Sequence, residues 1–225
     1  MPIISMVSSK GGAGKSTAAV ILGTELAERG STVTLIDADP NRPVSKWSKR
    51  PNKPKTLTVL ADVTEQTVIP EIERASTKSA FVIVDLEGTA SMTVGFAISR
   101  SDLIIIPMRG SILDATEAVK VTKLLKAQEQ AFRRSIPAAI LFTQTNPAVR
   151  ARTLRNLEDQ FRQSDVPVLK TYLHDRDAYR AMFVFGGGLS TLDPAEVRNI
   201  PAARANADAF VREIISFLKP MAKVA

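Results

Sequence analysis

The sequence contains no cysteine and a single histidine, His174. The absence of cysteine excludes disulfide bonds, thiol nucleophiles and cysteine-bound zinc, and one histidine cannot form a histidine metal cluster. No run of about 18 apolar residues is present, so no membrane-spanning helix is expected. The first residues lack the basic start and cleavage site of a signal peptide. These absences exclude thiol chemistry, disulfide bonds and histidine or cysteine metal clusters.

The composition is that of a soluble globular protein. Of the 225 residues, 44% are hydrophobic and 24% are charged, which predicts one domain spanning residues 1–225 with a sizeable buried core. The formal net charge is +7. A basic balance of this size favours a polyanionic partner, either nucleic acid or an anionic membrane.

Apolar runs that predict strands alternate with helical patterns along the chain. We predict strands at 3–7, 33–36, 57–60, 81–84, 103–106 and 138–142, with a last one at 168–171. Helices are predicted at 15–29, 114–132, 149–163 and 201–218, and the basic, proline-rich stretch 42–55 is interpreted as a surface connection. This alternation favours an α/β fold with a doubly wound, mainly parallel sheet and helices on both faces.

A glycine-rich segment, SSKGGAGKST at residues 8–17, lies between the first strand and the first helix. It departs from the usual phosphate loop, because Ser9 stands where the pattern G-x-x-x-x-G-K-[ST] has its first glycine. The closing residues Gly14, Lys15 and Ser16 match. Glycine allows backbone N–H groups to turn towards phosphates, and the helix N-terminus favours negative charge. We therefore predict that ATP phosphates are bound by Gly11, Gly12, Ala13, Gly14, Lys15, Ser16 and Thr17.

The chemistry of such a loop assigns roles to individual side chains. Lys15 is expected to reach the β and γ phosphates, and Ser16 to ligate Mg²⁺ through its hydroxyl. Asp37 and Asp39, in the segment LIDADP, follow a strand at the edge where ligands of such sheets bind. Asp37 is a candidate for the Mg²⁺ hydration shell and Asp39 for orienting or deprotonating the attacking water. The alternative is that both are ordinary turn residues.

A third carboxylate follows another apolar strand. In FVIVDLEG, residues 81–88, four apolar residues end at Asp85, which is the form of a Walker-B strand whose aspartate binds Mg²⁺ directly or through water. An apolar strand that ends in aspartate is common by chance. Its position after the first two motifs is what makes Asp85 a metal candidate.

These motifs together resemble the deviant-Walker ATPases of the ParA/MinD family. KGGAGKST is similar to the family's K-G-G-x-G-K-[ST] loop, DADP to its D-x-D-P motif, IVDLEG to its Walker-B segment, and IIIPMRGSILD to a later strand segment. The resemblance covers nearly the whole chain and implies a P-loop NTPase fold. It implies that Lys10 reaches across an ATP-bound homodimer to the partner's phosphates, and that adenine is contacted near residues 143–147, with Asn146 as the candidate.

Within the family the chain most resembles the small plasmid partition proteins, without the N-terminal helix-turn-helix region of larger ones. That resemblance implies slow ATP hydrolysis, nonspecific double-stranded DNA binding by the ATP dimer and a ParB-like, centromere-binding partner. It also implies a cytoplasmic protein that is nucleoid-associated when ATP is bound. Two alternatives stay open: a MinD-like positioning ATPase that binds membrane through its C-terminal helix, and an accessory ATPase for conjugal DNA transfer.

The basic side chains suggest where DNA binds. Arg150, Arg152 and Arg155 lie on a predicted basic helix, and Arg176 and Arg180 are four residues apart, as on one helical face. Acidic residues lie among them, so a solvated charged face is the alternative. The C-terminal helix is amphipathic, and we expect its apolar stripe to pack on the sheet rather than on a membrane.

Overall fold

A computed structural model describes residues 1–88, 91–146, 152–162 and 166–219. Strands and helices alternate through most of the chain, in the order β1 (Ile3–Met6), α1 (Lys15–Glu28), β2 (Val33–Ala38), α2 (Pro43–Ser48), β3 (Leu57–Leu60), α3 (Val68–Ser76), β4 (Phe81–Leu86), α4 (Met92–Arg100), β5 (Leu103–Arg109), α5 (Ile112–Phe132), β6 (Ala138–Thr145), α6 (Arg152–Arg162), β7 (Leu173–His174), α7 (Asp177–Phe185), a 3₁₀ turn (Leu189–Thr191) and α8 (Ile200–Leu218).

The strands form one parallel sheet in the order β3-β2-β4-β1-β5-β6-β7. Helices cover both faces, which confirms the predicted doubly wound α/β fold. Neighbouring residues of a strand point to opposite faces. Ile104 belongs to the core cluster that contains residues of α3, α4, α5 and α6, whereas Ile105 belongs to the cluster with residues of α1, α2, α7 and α8. The continuous apolar runs of β4 and β5 are explained by this burial on two sides.

The sheet brings the predicted site residues to one edge. The strand β1 lies in the middle, between β4 and β5, where the direction of the chain across the sheet reverses. Ligands of open α/β sheets bind outside the carboxyl ends of the strands at such a reversal. Asp37 of β2 lies opposite Asp85 of β4 in the parallel register, and Asp85 in turn lies opposite Met6 of β1.

Two predictions about the elements were wrong. The stretch 42–55 is not merely a surface connection, because it contains α2, in which Val44, Ser45 and Trp47 are buried. The strand predicted at 168–171 is instead a single bridge from Val168 to Ile140, and the edge strand β7 follows at Leu173–His174. Sequence periodicity also missed α3 and α4.

The C-terminal helix packs on the sheet, as predicted. Its apolar stripe, with Phe210 and Ile214 fully buried, belongs to the core beside α1 and β7. The structure's described helices include none that is both long and apolar enough to cross a membrane.

Candidate functional site

The phosphate loop has the backbone shape that its glycines allow. Gly12 and Gly14 both have positive φ values, +75° and +93°, and α1 begins directly after Gly14. The carbonyl oxygen of Gly12 accepts hydrogen bonds from Arg109 Nη2 (2.6 Å) and Nε (3.1 Å) and from Gln144 Nε2 (3.0 Å). Thr143 Oγ1 donates to the carbonyl oxygen of Ala13 at 2.7 Å. The ends of β5 and β6 therefore fix the conformation of the loop.

The loop borders an open cavity of about 520 Å³ at the carboxyl edge of the sheet. The cavity is lined by the loop, by the ends of β2, β4 and β5, and by Gln144 of β6; its residues are Gly11, Gly12, Gly14, Lys15, Ser16, Thr17, Asp39, Pro40, Asn41, Glu87, Gly88, Arg109 and Gln144. Most of the predicted phosphate-binding residues thus line one cavity. Ala13 is buried beneath it, at 2% exposure.

Lys15 is the buried cation of this cavity, which Arg109 also lines. It is 5% exposed, and its ammonium group donates to the carbonyl oxygen of Lys10 at 3.5 Å. Burial lowers the pKa of Lys15, against the opposing negative charges of Asp85, Asp39 and Glu87. A buried ammonium group with this little hydrogen bonding is suited to receive an anion such as a phosphate.

Asp85, in β4, is a buried carboxylate that interacts electrostatically with Lys15 but is not among the residues that line the cavity. It is 1% exposed, and neither of its oxygens accepts a hydrogen bond from the described residues. Burial raises its pKa to about 7, helped by the negative charges of Asp37 and Asp39 and opposed by Ser16 and Lys15. An orphaned buried carboxylate of this kind is costly unless a cation or proton joins it.

The residues present fit Mg²⁺ only in combination with a nucleotide. In the described part of the chain no cluster of three acidic or histidine side chains could hold a metal alone. Mg²⁺ commonly uses one or two carboxylates together with substrate phosphates and waters. Asp85 and the hydroxyl of Ser16 supply such a partial site, and Asp37 lies beside Asp85 in the sheet register.

Asp37 and Asp39 have different surroundings. Asp37 is buried, and its Oδ2 accepts hydrogen bonds from the backbone N–H (2.6 Å) and hydroxyl (2.7 Å) of Ser45 in α2. Burial raises the pKa of Asp37, and the Ser45 hydrogen bonds oppose this. Asp39 lines the cavity, and its Oδ1 accepts from the N–H of Asn41 at 2.8 Å. Asp39 is therefore the more accessible of the two to a water molecule.

The two residues before the glycines are held by α5. Ser9 Oγ donates to Glu117 Oε2 at 2.7 Å and to the Glu117 carbonyl oxygen at 3.0 Å. The Lys10 ammonium lies 2.8 Å from Asp114 Oδ1. Although burial alone would raise it, the pKa of Asp114 is lowered by Lys10, Ser111 and Arg109. The serine that departs from the usual loop pattern thus attaches the loop to a helix.

A second cavity, of about 400 Å³, adjoins the loop on the side of α7. It is lined by the loop's end, β6, β7 and α7, with Thr17, Gln144, His174, Arg176, Tyr179 and Arg180 among its residues. Asn146 is exposed and is not among the lining residues. Gln144, within the stretch 143–147 predicted near adenine, and His174, which no motif marks, are the candidates for base contact that line this cavity.

Of Arg176 and Arg180, predicted to share a helical face, only Arg180 lies within a helix. Arg176 is the residue before α7, and Arg180, in α7, forms ion pairs with Asp175 and Asp177. Arg176 has a buried Nε without a partner in the residues that the structure describes. Arg155 is exposed on α6, Arg152 begins that helix, and Arg150 lies outside the described residues. Both Arg176 and Arg180 line the second cavity.

Comparisons with known proteins agree with this geometry. A family model described as VirC1 protein matches residues 1–223. The chain is 42% identical to Protein ParA of Rhizobium radiobacter over 218 residues, which covers 97% of this chain and 98% of that protein. It is 30% identical to Protein virC1 of the same organism over 187 residues, 81% of this chain and 80% of that protein.

A solved structure shows the same fold. The ATP complex of a McdA variant from Cyanothece superposes with a TM-score of 0.74 at 14% identity, covering 95% of this chain and 96% of the other. At that identity the likeness concerns the fold alone.

Proposed function

The chain belongs to the VirC1 protein family and is a relative of ParA, and from this premise we propose that it is a ParA-type ATPase for plasmid or chromosome partition. ATP and Mg²⁺ bind at the phosphate loop, and two copies then close face to face. The ATP-bound dimer binds double-stranded DNA without sequence preference and is nucleoid-associated in the cytoplasm. Slow hydrolysis, stimulated by a ParB-like centromere-binding partner, opens the dimer and releases DNA.

The observation that carries this proposal is the position of Lys10. Its side chain is 42% exposed and is not among the lining residues of its own subunit's phosphate cavity, whereas Lys15 is. A kinase or hydrolase that worked as a single subunit would have no use for a second lysine held outside its cavity. A lysine at the rim is available to the nucleotide of a second copy, as an arginine finger supplied in trans would be.

The residues of one subunit account for nucleotide binding. Lys15 contacts the β and γ phosphates, and the loop N–H groups with the N-terminus of α1 hold negative charge. Ser16 and Asp85 would hold Mg²⁺, with Asp37 close to its hydration shell. When bound, the ion would supply positive charge that offsets the negative charge of the phosphates. Asp39 orients the attacking water at the cavity wall, where its carboxylate is accessible.

Exposed apolar side chains support self-association next to Lys10. Ile112 and Leu113, at the start of α5, are 69% and 74% exposed and directly precede Asp114. Side chains of this type at a surface beside a functional loop are typical of an interface. A second copy that covered the loop would also cover these two residues.

The first experiment measures binding to random-sequence duplex DNA with no nucleotide, ADP or ATP, at two salt concentrations. Wild-type binding should require ATP and weaken with salt. Lys15→Ala should lose nucleotide binding, and Lys10→Ala should retain it but lose the dimer and the ATP-dependent DNA binding. A DNA affinity that is the same with and without nucleotide would mean that the net charge of +7 alone attracts DNA, contrary to the proposal.

An accessory ATPase for conjugal DNA transfer is the second candidate. The match to the VirC1 family model and the 30% identity to virC1 favour it. Such a factor would prefer one DNA site over bulk DNA. Competition between a transfer-origin sequence and random duplex separates the two functions, because partition by nonspecific binding predicts equal competition.

A MinD-like membrane function has less support. It would require an apolar helical face free to enter a bilayer, whereas the described part of α8 packs its apolar stripe on the sheet. Flotation with anionic liposomes in the presence of ATP is the direct test, and recovery of the protein in the lipid fraction would favour this function.

A further inference from the structure

Residues 42–55, called here the basic segment, contain six lysines and arginines and no acidic residue. The segment comprises α2 and the turn that follows it. Lys46, Lys49, Arg50 and Lys55 are exposed, and Lys53 is half-buried. The segment is therefore a concentrated cationic surface, and it lies outside the nucleotide-binding motifs of the sequence.

The charge of the basic segment is mostly uncancelled. Arg42 forms an ion pair with Asp62 at 2.6 Å, but over the described ranges none of the segment's other five basic side chains has a carboxylate partner. By contrast, Arg180 is paired with Asp175 and Asp177. Unpaired cations at a surface are those available to release counterions from a polyanion.

The basic segment is held firmly by its neighbours. The single tryptophan, Trp47, is 1% exposed, and its indole N–H donates to the carbonyl oxygen of Gly187 at 3.1 Å. Gly186, with φ +85°, approaches the backbone of Pro51 so closely that a Cβ there would lie 2.4 Å from the Pro51 carbonyl oxygen. The cations are therefore presented on an ordered backbone, which lowers the entropy lost on binding.

The basic segment is also attached to the nucleotide site. Ser45, inside the segment, donates its N–H and hydroxyl to Asp37 Oδ2, and both side chains are buried. Pro40 and Asn41, just before the segment, line the phosphate cavity. These hydrogen bonds connect Asp37 to the start of α2.

We propose that the basic segment is a contact surface for the phosphate backbone of duplex DNA, tied to the nucleotide site through Asp37 and Ser45. The proposal rests on the proposed function and names the surface that carries its DNA binding. DNA is favoured over an anionic membrane because the apolar side chains of α2, Val44 and Trp47, are turned into the core. A lipid surface is bound most stably when apolar area is buried along with the charge.

The test compares two triple variants of the full chain that lower the net charge equally, from +7 to +4. One is Lys46→Gln, Lys49→Gln, Arg50→Gln. The control is Lys78→Gln, Lys123→Gln, Lys170→Gln. These side chains are exposed and lie after α3, on α5 and before β7, respectively. Binding of a fluorescent random duplex is measured with ATP across a salt series. Binding of a fluorescent ATP analogue checks that each variant is folded.

The basic-segment variant should bind DNA at least tenfold more weakly than wild type, and the control less than threefold. The slope of log affinity against log salt should fall by about 2–3 in the basic-segment variant alone, since each lost phosphate contact removes about 0.9. Equal losses in both variants, or an unchanged basic-segment variant, would overturn the inference and leave ATP-dependent DNA binding by the wild type intact.

Two further outcomes count against the inference. A wild type that binds ATP but no DNA would overturn the proposed function and this surface with it. Loss of binding to phosphatidylserine vesicles, with DNA binding unchanged, would assign the basic segment to a membrane instead.

Discussion

The Lys10 ammonium lies 2.8 Å from Asp114 Oδ1 in its own subunit. Asp114 is buried, and Ser111 binds its carboxylate as well as its backbone N–H at the start of α5. If Lys10 acts on a partner's nucleotide, this ion pair must open first. In the isolated subunit Lys10 is therefore bound to Asp114 and is not free to reach a second copy.

Replacing Asp114 with asparagine should strengthen the ATP-dependent dimer. Because Lys10 is 42% exposed, opening each pair costs only about 0.5–1 kcal/mol; two pairs open per dimer, so the dimer should be roughly five- to thirtyfold tighter. Sedimentation with ATP measures the dimer dissociation constant. Glu73→Gln, which breaks the exposed Arg100–Glu73 pair, is the control and should leave it unchanged. A weaker dimer in Asp114→Asn would show that Asp114 supports the interface itself.

The buried Asp85 predicts an unusual dependence of stability on pH. Its pKa is about 7 in the folded chain against 3.8 as the ordinary value, so the folded state binds the extra proton between these pH values. The contribution of Asp85 to the free energy of unfolding is fully present below about pH 4. This contribution, up to roughly 4 kcal/mol, is lost as the pH rises through 7. Urea unfolding without nucleotide measures this effect.

In Asp85→Asn the free energy of unfolding should decline less between pH 4.5 and 8 than in wild type. The surface variant Glu65→Gln is the matched control and should follow the wild-type profile. Parallel profiles for Asp85→Asn and wild type would mean that Asp85 is ionised throughout, contrary to its burial.

Arg109 should contribute to nucleotide affinity through the Gly12 carbonyl. Its guanidinium makes two hydrogen bonds to that oxygen, and Arg109→Gln should weaken ATP binding about tenfold because the loop is held less firmly. Calorimetric titration with ATP measures the change. Arg109→Lys keeps the charge but not the planar fork, so it should bind almost as weakly. Full recovery in Arg109→Lys would show that charge, and not loop shape, is what matters.

Ser45 should couple nucleotide to DNA. Ser45→Ala removes one of the two hydrogen bonds to Asp37 Oδ2 and should reduce the gain in DNA affinity caused by ATP at least threefold. DNA binding without nucleotide should not change. Ser48→Ala, in the same helix, serves as the control, because among the described residues its hydroxyl bonds to the Ser45 carbonyl and not to Asp37. An unchanged response to ATP in Ser45→Ala would remove this connection from the mechanism.

Six of the seven strands in the described sheet and the phosphate loop were predictable because their signals are local. The runs of β4 and β5 are apolar throughout, and the loop's glycines and lysine are contiguous. The short helices were not: α3 contains Pro70, and α4 contains Gly95 among β-branched residues, so neither has strong helical propensity. In α2 the basic residues concealed a buried face formed by Val44 and Trp47.

Residues that complete the site from afar could not be predicted. Arg109 and Gln144 bind the Gly12 carbonyl across 97 and 132 residues of sequence. Their contacts exist only because β5 lies beside β1 in the sheet and β6 lies beside β5. Asp37, Asp39 and Asp85 were predictable as a group because parallel strands end at one edge of the sheet. The hydrogen bonds from Ser45, which give Asp37 surroundings different from those of Asp39, were not predictable.

The single tryptophan gives this protein a built-in optical reporter. Trp47 lies two residues after Ser45 in α2, and its indole contacts the turn after α7. Any movement of α2 that follows nucleotide binding alters the surroundings of this one indole, and intrinsic fluorescence can then follow the event in unlabelled protein. Stopped-flow mixing with ATP can thereby place helix movement before or after dimer closure.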